Sequence, residues 1–348
     1  MKMSEVNRGI GKIEEKYIKA VHGGGGRAMS ELLSHLIQYI TLRKFKDGLG
    51  LDELDDAATL PINKKSIVFT TDSYTVKPLF FPGGDIGKLS ISGTINDLAV
   101  MGAEPVAISI AFIIGEGFPI NQLKRIIKSI NIVSTENSLP VVTGDTKVID
   151  ADIDVIINTT GIGIIDNGNI ITDSGLVDGD RIIISGTVGD HGIAIMSKRE
   201  GIEFNTSITS DCSALWDLIR DILKFDIHAM KDPTRGGIAN SLNELAEKSR
   251  KRIIIYEDKI PIRREVKAAS EMLGIDPLTI ANEGKVLIGV SKEDAESVLE
   301  ILRKNKKGRD AEIIGVVDGK GKDVVLETIV GGRKLLEKPY GDPVPRVC

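Results

Sequence analysis

The sequence predicts a mixed α+β fold of about two domains, with helices and sheets packed in layers. Its 348 residues, at roughly 150 residues per domain, allow two cores that fold without metal or disulfide support. Glycine is abundant, with 37 residues, whereas aromatic residues make up only 4%, which is typical of folds with many tight strand-to-helix turns. The separations between apolar strands mix hairpin and helix lengths, which favours α+β over a strict doubly wound sheet.

The spacing of apolar residues predicts alternating helices and strands along the chain. In the first half, helices are expected at about 28–45, 88–101 and 120–136, and strands at 66–71, 106–113, 140–143 and 153–165. In the second half, helices are expected at 191–199, 211–224, 234–249, 263–273 and 292–304, and strands at 181–185, 252–256, 285–290, 313–317 and 324–327.

The predicted domain junction is a polar, glycine-rich segment at about 166–180, between two apolar strands. The chain is therefore expected to consist of four parts, which are an N-terminal glycine-rich segment with a helix at 1–45, a first domain at 46–165, a second domain at 166–336 and a tail at 337–348.

Composition argues against several functional classes. Lys and Arg number 45 against 50 Asp and Glu, a formal charge of -5 without basic blocks, so a nucleic-acid partner is not expected. The longest apolar stretch, 106–114, is far shorter than the roughly 20 residues of a membrane helix. The N-terminus lacks the apolar core of a secretory signal. We therefore expect a cytoplasmic protein without membrane or nucleic-acid partners.

The tail is expected to be a mobile arm. Pro339, Pro343 and Pro345 prevent a helix and favour polyproline II. The last residue, Cys348, would then be an accessible thiol suited to covalent attachment, although a disordered tail with a spare cysteine fits the composition equally well. The other cysteine, Cys212, is expected to pack inside a helix, and neither cysteine has zinc-type spacing to a histidine.

Aspartates recur at the ends of apolar runs, beside small or hydroxyl residues. Four positions show or adjoin this pattern: Asp55, Asp72, Asp97 and Asp145. If they converge on one crevice, their oxygens would suit magnesium bound to a polyphosphate. Taken singly, each aspartate is more readily explained as a turn or cap residue.

Two glycine-containing blocks allow both structural and phosphate-binding interpretations. In the block DPTRGG at 232–237, Asp232 could cap a helix that begins at 234, and the same helix start could offer N–H groups, Thr234 and Arg235 to a phosphate. The glycine run at 23–26 is either a linker or a strip of backbone that closes over phosphates.

Two further residue types could take part in chemistry. Glu283 precedes an apolar strand, where partial burial would raise its pKa toward the range of a general base; an exposed loop glutamate is the alternative. His22 and His191 both adjoin glycine and could touch phosphate, although a lone histidine is more often structural.

Together, these blocks resemble the HypE family of hydrogenase maturation proteins. The matching blocks are HGGGGR at 22–27, TDSY at 71–74, FFPGG at 80–84, IGKL at 86–89, NDLA at 96–99, VTGDTKV at 142–148, SGTVGDHG at 185–192, DPTRGG at 232–237, ANEGK at 281–285 and PRVC at 345–348. The terminal block is the specific part. The aspartate blocks are shared with aminoimidazole ribonucleotide synthetase, selenophosphate synthetase and thiamine monophosphate kinase.

The resemblance implies a two-domain PurM-like fold, like that of aminoimidazole ribonucleotide synthetase, with a flexible tail and a homodimer formed by the N-terminal domains. It implies that the carbamoyltransferase HypF loads a carbamoyl group on Cys348. ATP with Mg²⁺ then dehydrates this thiocarboxamide to a thiocyanate. The cyano group passes to iron held by HypC and HypD, for the metal centre of a [NiFe]-hydrogenase.

The resemblance also implies roles for individual residues. Cys348 would carry the group, Glu283 would act as base and Lys147 would orient the carboxamide. The expected ligands of magnesium are Asp55, Asp72, Asp97, Asp145 and Asp232. The expected phosphate contacts are His22, Gly24, Lys88, Thr234 and Arg235. Two alternatives stay open at this point: another ATP-dependent enzyme of the same superfamily, of the selenophosphate synthetase or thiamine monophosphate kinase type, or a non-catalytic thiol carrier.

Overall fold

The structure is a computed structural model that describes residues 17–62, 65–166, 170–200, 208–344 and 346–348. The start of the predicted N-terminal segment, part of the predicted junction and Pro345 of the tail lie outside the described residues. Among the residues described, no helix is both long and apolar enough to cross a membrane.

The first domain is built on a five-stranded sheet. Its strands are β1 (Ala58–Ile62), β2 (Lys65–Tyr74), β5 (Glu104–Gly115), β6 (Val141–Ile149) and β7 (Val155–Asp166), while β3 (Phe80–Phe81) and β4 (Gly84–Asp85) form a separate small pair. The order in the sheet is β1-β2-β7-β5-β6. Strands β5 and β6 run parallel and the other neighbours run antiparallel. This order leaves β6 at one edge.

Two helices cover one face of this sheet, α2 (Ile86–Val100) and α3 (Ile120–Glu136). Helix α2 begins at Asp85, whose carboxylate accepts hydrogen bonds from the N–H groups of Gly87 and Lys88. Nearly every residue of α2 is buried, including polar ones such as Ser90 and Thr94, because other elements enclose the helix. Its Asn96 side chain donates to the carbonyl of Ser213, so α2 also contacts the second domain.

The second domain contains a seven-stranded sheet. Its strands are β8 (Arg181–Ile184), β9 (Ile227–Lys231), β10 (Lys251–Tyr256), β11 (Leu287–Val290), β12 (Glu312–Lys320), β13 (Val324–Glu327) and β14 (Arg333–Leu335). Their order is β14-β13-β10-β12-β8-β11-β9. The helices are α4 (Asp190–Glu200), α5 (Trp216–Arg220), α6 (Gly237–Ser249), α7 (Arg264–Leu273) and α8 (Ala295–Lys304). The sheet is mixed, with β10 and β13 parallel, which agrees with the predicted α+β class.

Several predicted elements differ in extent from those observed. The helix expected at 28–45 is the shorter α1 (Gly26–Ile37). The helix expected at 211–224 is reduced to α5, because the side chain of Asp211 bonds to the N–H of Glu283 and to Lys285 instead. The helix expected from 234 begins at Gly237 and is preceded by Gly236 at φ 77°, so Asp232 is not its cap. Strand β1 was missed because it contains a proline, which a sheet tolerates at its edge.

The tail does not stand free as the sequence analysis expected. The N–H groups of Arg27 and Ala28, in the first turn of α1, donate to the carbonyls of Pro339 and Tyr340. Further on, the side chains of Val344 and Val347 are buried in the core of the first domain. The tail therefore runs from the second domain back to the first. Its valines bury apolar surface that a mobile arm would leave in water.

We expect the docked tail to contribute to stability. Removing 343–348 exposes the core sites of Val344 and Val347, each worth about 1.5–3 kcal/mol before the entropy of the tail is subtracted. Since ordering the tail costs most of this gain, we expect a net loss of about 1–1.5 kcal/mol. The melting temperature, measured by calorimetry, should then fall by about 2–6 °C, at roughly 2–4 °C per kcal/mol. The control, Cys348→Ala, keeps both valines and should melt within about 1 °C of the full chain. Equal melting temperatures for the truncated and full chains would contradict this packing.

Candidate functional site

A cleft of about 470 Å³ lies between the two domains, and most of the predicted acidic residues face it. Strand β2 supplies Asp72, helix α2 supplies Asp97, and the segment between β9 and α6 supplies Asp232 and Arg235. Glu283 lines the same cleft from the loop before β11, and the tail brings Cys348 to it. Residues separated by up to 323 positions in the sequence, from Gly25 to Cys348, thus surround one cavity.

Three carboxyl groups are crowded on one side of this cleft. Thr70 Oγ1 donates to Asp97 at 2.8 Å, and Tyr74 Oη donates to Asp72 at 3.0 Å. Burial, and then the neighbouring charge of Asp72, raise the pKa of Asp97 well above its usual range. Burial raises the pKa of Asp232 to about 6, with the charge of Asp72 adding to it and Lys231 opposing it. A divalent cation among these oxygens would relieve this repulsion.

The donor set fits magnesium bound together with phosphate. Among the described residues, no group of three or more His, Cys, Asp or Glu side chains is arranged to hold a metal ion. Magnesium in phosphate-transfer sites is commonly held by one or two carboxylates, with substrate phosphates and water completing the shell. One or two of Asp72, Asp97 and Asp232 would suffice for that kind of site, because they lie in an open cleft where a polyphosphate can add its oxygens.

Asp55 was expected to bind metal, but the structure gives it a different partner. Lys248 Nζ lies 2.9 Å from Asp55 Oδ1 and 2.7 Å from Asp173 Oδ2. Lys231 Nζ in turn contacts Asp56 Oδ1 at 2.5 Å and Asp173 Oδ2 at 3.1 Å. These lysines already compensate the charge of Asp55. No local sequence pattern marks these lysines or Asp173, because their partners are distant in sequence.

Glu283 is a buried acid, so the exposed-loop interpretation is excluded. Glu283 is only 2% exposed, and its Oε1 atom has no hydrogen-bond partner among the described residues. Burial raises its pKa well above the usual range, and the charges of Asp232 and Asp211 raise it further, whereas Arg235 lowers it. A carboxyl oxygen that is buried and unpaired beside a cleft is available to a proton on a bound substrate.

Cys348 lies beside the acidic residues that line this cleft. Its carbonyl accepts a hydrogen bond of 3.2 Å from Thr75 Oγ1. Burial raises the pKa of its thiol to about 12, although the nearby Arg235 guanidinium lowers it. Arg235 itself donates to the carbonyl of Gly23 at 3.1 Å. The thiol is therefore protonated in this position rather than exposed and reactive.

The glycine run is an ordered part of the site. Gly25 and Gly26 line the cleft, and Gly24 lines an adjoining cavity of about 430 Å³ that also borders Cys348. A Cβ on Gly25 would lie 2.9 Å from the Arg235 Cβ, so glycine allows the close approach. The linker interpretation is therefore wrong for this run.

Of the other predicted phosphate contacts, Thr234 lines the cleft, whereas His22 and Lys88 do not. His22 is buried, and its Nδ1 accepts a hydrogen bond of 3.0 Å from the N–H of Lys19, which fits a structural role. Lys88 Nζ donates to the carbonyl of Gly83 at 2.9 Å, and Lys88 is not among the residues that line the cleft.

Within one chain, Asp145 and Lys147 lie away from the cleft. Both lie on the exposed edge strand β6, where their side chains form an ion pair of 2.8 Å. The ladder from Ser73 through Asn158 and Ala111 to Asp145 crosses three strand spacings. At about 4.8 Å per spacing, this places Asp145 roughly 14 Å from the end of β2 that carries the acidic cluster.

Two family models match this chain. The N-terminal domain of AIR synthase related proteins matches residues 54–165, and the C-terminal domain of the same proteins matches residues 177–327. A hydrogenase expression/formation protein of Methanocaldococcus jannaschii is 54% identical over 95% of this chain and 99% of its own length. The carbamoyl dehydratase HypE of Azotobacter vinelandii is 43% identical over 95% of this chain and 97% of its own length. The chain belongs to the HypE family.

Solved structures of HypE proteins have the same fold. The HypE of a HypE–HypF complex superimposes with a TM-score of 0.83 and 42% identity, over 88% of this chain and 99% of that one. A HypE bound to ATP superimposes with a TM-score of 0.79 and 39% identity, over 94% and 98%. The curated HypE relatives are named as carbamoyl dehydratases, which are enzymes. The two-domain α+β architecture expected from the sequence is thereby confirmed.

We expect the lysine pairs beside the cleft to be essential to stability. Lys231→Met leaves Asp56 and Asp173 without a main counter-charge, so the free energy of unfolding, measured in urea, should fall by about 3–5 kcal/mol. The matched control is Lys65→Met, which breaks an ion pair with Asp166 in which both side chains are more than half exposed. That change should cost less than about 1 kcal/mol. Similar losses in the two variants would contradict the inference.

Proposed function

We propose that this protein is an ATP-dependent dehydratase that converts its own S-carbamoylated Cys348 into a thiocyanate. One observation carries the proposal: the terminal cysteine and the buried acid Glu283 line the same cleft as the aspartates suited to a magnesium–triphosphate complex. The HypE relatives are named for carbamoyl dehydration, and one of them is solved with ATP. A cleft that holds both the thiol and the phosphate-binding acids lets the protein act on its own terminus.

The proposed chemistry takes place in two steps. The carbamoyl oxygen attacks the γ-phosphorus of ATP and the bond from that phosphorus to ADP breaks. One nitrogen proton is lost in this step, so that an O-phosphorylated imidate forms on the sulfur. The carbon–oxygen bond then breaks, the second nitrogen proton leaves, a C≡N bond forms, and phosphate is released. Glu283 would accept one of the two protons, because its carboxyl is buried beside Cys348 and one of its oxygens has no partner among the described residues. The departing phosphate can take the other. Phosphorylation is needed because a free carbonyl oxygen is a poor leaving group.

The remaining residues of the cleft bind and shield the reactants. Asp72, Asp97 and Asp232 would hold magnesium, which supplies charge neutralisation to the transferring phosphoryl group. Arg235 and the N–H groups of the glycine run lie where they can contact phosphate oxygens. The docked tail helps to exclude water, which would otherwise hydrolyse the phosphorylated intermediate.

We propose that a second copy of the chain completes the site. Strand β6 is exposed along its whole length, and its apolar side chains Val142 and Val148 are 62% and 63% exposed. Such an uncovered edge favours pairing with another chain. A homodimer formed by the first domains would cover these side chains. It would also carry Asp145 and Lys147 to the cleft of the partner subunit, where Lys147 can orient the carboxamide.

We propose that this reaction takes place in the cytoplasm, and that partner proteins act on the chain before and after it. HypF would load the carbamoyl group, since a HypE relative is solved in complex with HypF. The thiocyanate carbon would then pass as cyanide to an iron centre on HypC and HypD, for use in a [NiFe]-hydrogenase. Both exchanges need the tail to leave the cleft, because Cys348 lies against the core in the docked position.

The mass of the intact protein tests this function. Carbamoylated protein incubated with Mg-ATP should lose about 18 Da, the mass of one water, from the peptide that ends in Cys348. Cys348→Ala should show no such change. Glu283→Gln removes the proposed base and should slow the loss by about 10²- to 10⁴-fold. A carbamoylated native protein that keeps its mass would contradict the proposal and favour a non-catalytic thiol carrier. ATP turnover that is independent of Cys348 would favour another enzyme of the superfamily.

The pH dependence of the same assay reports on Glu283. Because its pKa is raised, the carboxyl stays protonated to a higher pH than an ordinary glutamate, and only its ionised form can accept a proton. The dehydration rate should therefore rise with pH through a midpoint above the usual 4.5. The residual rate of Glu283→Gln should lack this rise.

Mixed dimers test whether Lys147 acts across the interface. Lys147→Ala and Glu283→Gln are each expected to be nearly inactive alone. Co-expressed, they form mixed dimers in which one cleft has an intact Glu283 and receives the intact Lys147 of the partner subunit. Activity should return to roughly a quarter of the native value for random pairing in a two-fold dimer. No recovery would place Lys147 in its own chain's cleft, and a Lys147→Ala protein that is active alone would place it outside the reaction.

A further inference from the structure

The docked position of the tail is fixed mainly by bonds to its backbone. The N–H of Lys77 donates to the carbonyl of Arg346, and the Arg199 guanidinium donates to the same carbonyl at 3.0 Å. His191, in the first turn of α4, lies 2.8 Å from the carbonyl of Val347 through its Nε2 atom. The contact between His191 and Val347 involves the residue immediately before Cys348, and both of its side chains are buried.

The partners of His191 define which nitrogen carries the proton. A carbonyl oxygen can only accept, so Nε2 must be protonated and donate to Val347. The other nitrogen, Nδ1, lies 2.8 Å from Ser210 Oγ. Ser210 Oγ accepts from the N–H of Cys212 at 3.0 Å, which leaves the Ser210 hydroxyl proton to donate to Nδ1. Burial lowers the pKa of His191, which favours the same neutral form.

The surroundings hold the imidazole ring in one orientation. The Phe81 ring lies edge-on to it at 5.5 Å between centroids, and a Cβ on Gly192 would approach Ile280 Cγ2 to 2.3 Å, which shows how tightly this turn is packed. Both nitrogens have partners, and the ring cannot rotate without losing them. A rigid donor is thus aimed at the backbone of a segment that must leave during the proposed reaction cycle.

We propose that His191, oriented by Ser210, is a positioning residue that latches the tail in its inserted position and so places Cys348 in the cleft. The inference rests on the proposed function, since it deepens how that reaction holds its substrate. The latch contacts main chain, so it acts alike on a free and on a carbamoylated thiol. A buried neutral hydrogen bond of this kind changes a two-state population by about fivefold to tenfold.

The alkylation rate of Cys348 measures this latch without requiring any enzymatic activity. In the full-length native protein, iodoacetamide should modify Cys348 slowly, because the inserted thiol is protonated and partly covered. His191→Leu removes the donor and should speed modification of Cys348 by about fivefold to tenfold. His191→Gln places an amide nitrogen near the position of Nε2 and should stay within about twofold of the native rate. Peptide mass spectrometry separates this signal from that of buried Cys212, which serves as the internal control.

Two further variants complete the test. His228→Gln changes a histidine that contacts Asp180 and Asp226 in the second domain, and it should leave the rate unchanged. Ser210→Ala removes the group that fixes the tautomer of His191, and it should raise the rate by a smaller factor than His191→Leu. Ser210→Ala also keeps the proposal testable if His191→Leu fails to fold. A native rate in both folded variants, or the same increase in His191→Gln as in His191→Leu, would overturn the latch.

Dehydration provides a second readout that separates the latch from the proposed function. In carbamoylated protein, the loss of about 18 Da should slow in His191→Leu and recover in His191→Gln. If the native protein shows no loss of mass, the proposed function fails, but the alkylation rates still decide whether the latch exists. If dehydration proceeds natively in His191→Leu while alkylation is also unchanged, the latch fails and the proposed function stands.

Discussion

The structure depends on how negative charge is balanced in the cleft between its domains. On one side, the lysines Lys231 and Lys248 bind Asp55, Asp56 and Asp173, so that acids of both domains share buried counter-charges. Such pairs do not by themselves stabilise a fold strongly, but removing one partner is costly. They therefore define how the domains meet. On the other side, Asp72, Asp97, Asp232 and Glu283 form no ion pair with a lysine among the described residues. Burial raises pKa values on both sides, including those of Asp55 and Asp56.

This division explains why only part of the acidic cluster suits a metal–phosphate complex. Asp55 and Asp56 belong to the paired side. Asp72, Asp97 and Asp232 lie on the side where like charges face one another, so a bound cation lowers their repulsion and gains binding energy. The two sides are complementary, because the lysines hold the domains together while the acids without a lysine partner repel one another, and a magnesium ion that binds with ATP can reduce this repulsion.

The sequence predicted much of this architecture because local patterns determine it. The helix at 120–136 has a regular apolar stripe and was predicted with the observed bounds. Among the cleft acids, Asp72 was found because it follows an apolar run, Asp232 because it opens a glycine-containing block, and Glu283 because it precedes an apolar strand. What the sequence could not show depends on contacts between distant residues. The pairing of Lys231 with Asp56, the burial of Val347, and the distance of Lys147 from the cleft all follow from tertiary packing, which has no local signal. The proline content of the tail suggested a free arm because composition does not reveal the groove that receives its valines.

The chemistry of the terminal thiol argues for a tail that alternates between two positions. In the inserted position, burial raises the pKa of Cys348 to about 12, so almost none of it is thiolate at neutral pH. The thiolate is the nucleophile, and loading of a carbamoyl group therefore requires the thiol in water. Once loaded, the sulfur carries a neutral group, and the protonated thiol of the unloaded tail is neutral as well. The backbone bonds that hold the inserted tail therefore act alike on both forms. The inserted position suits the dehydration of the loaded group, whereas the loading step needs the position outside the cleft, so the two steps require the tail in different places.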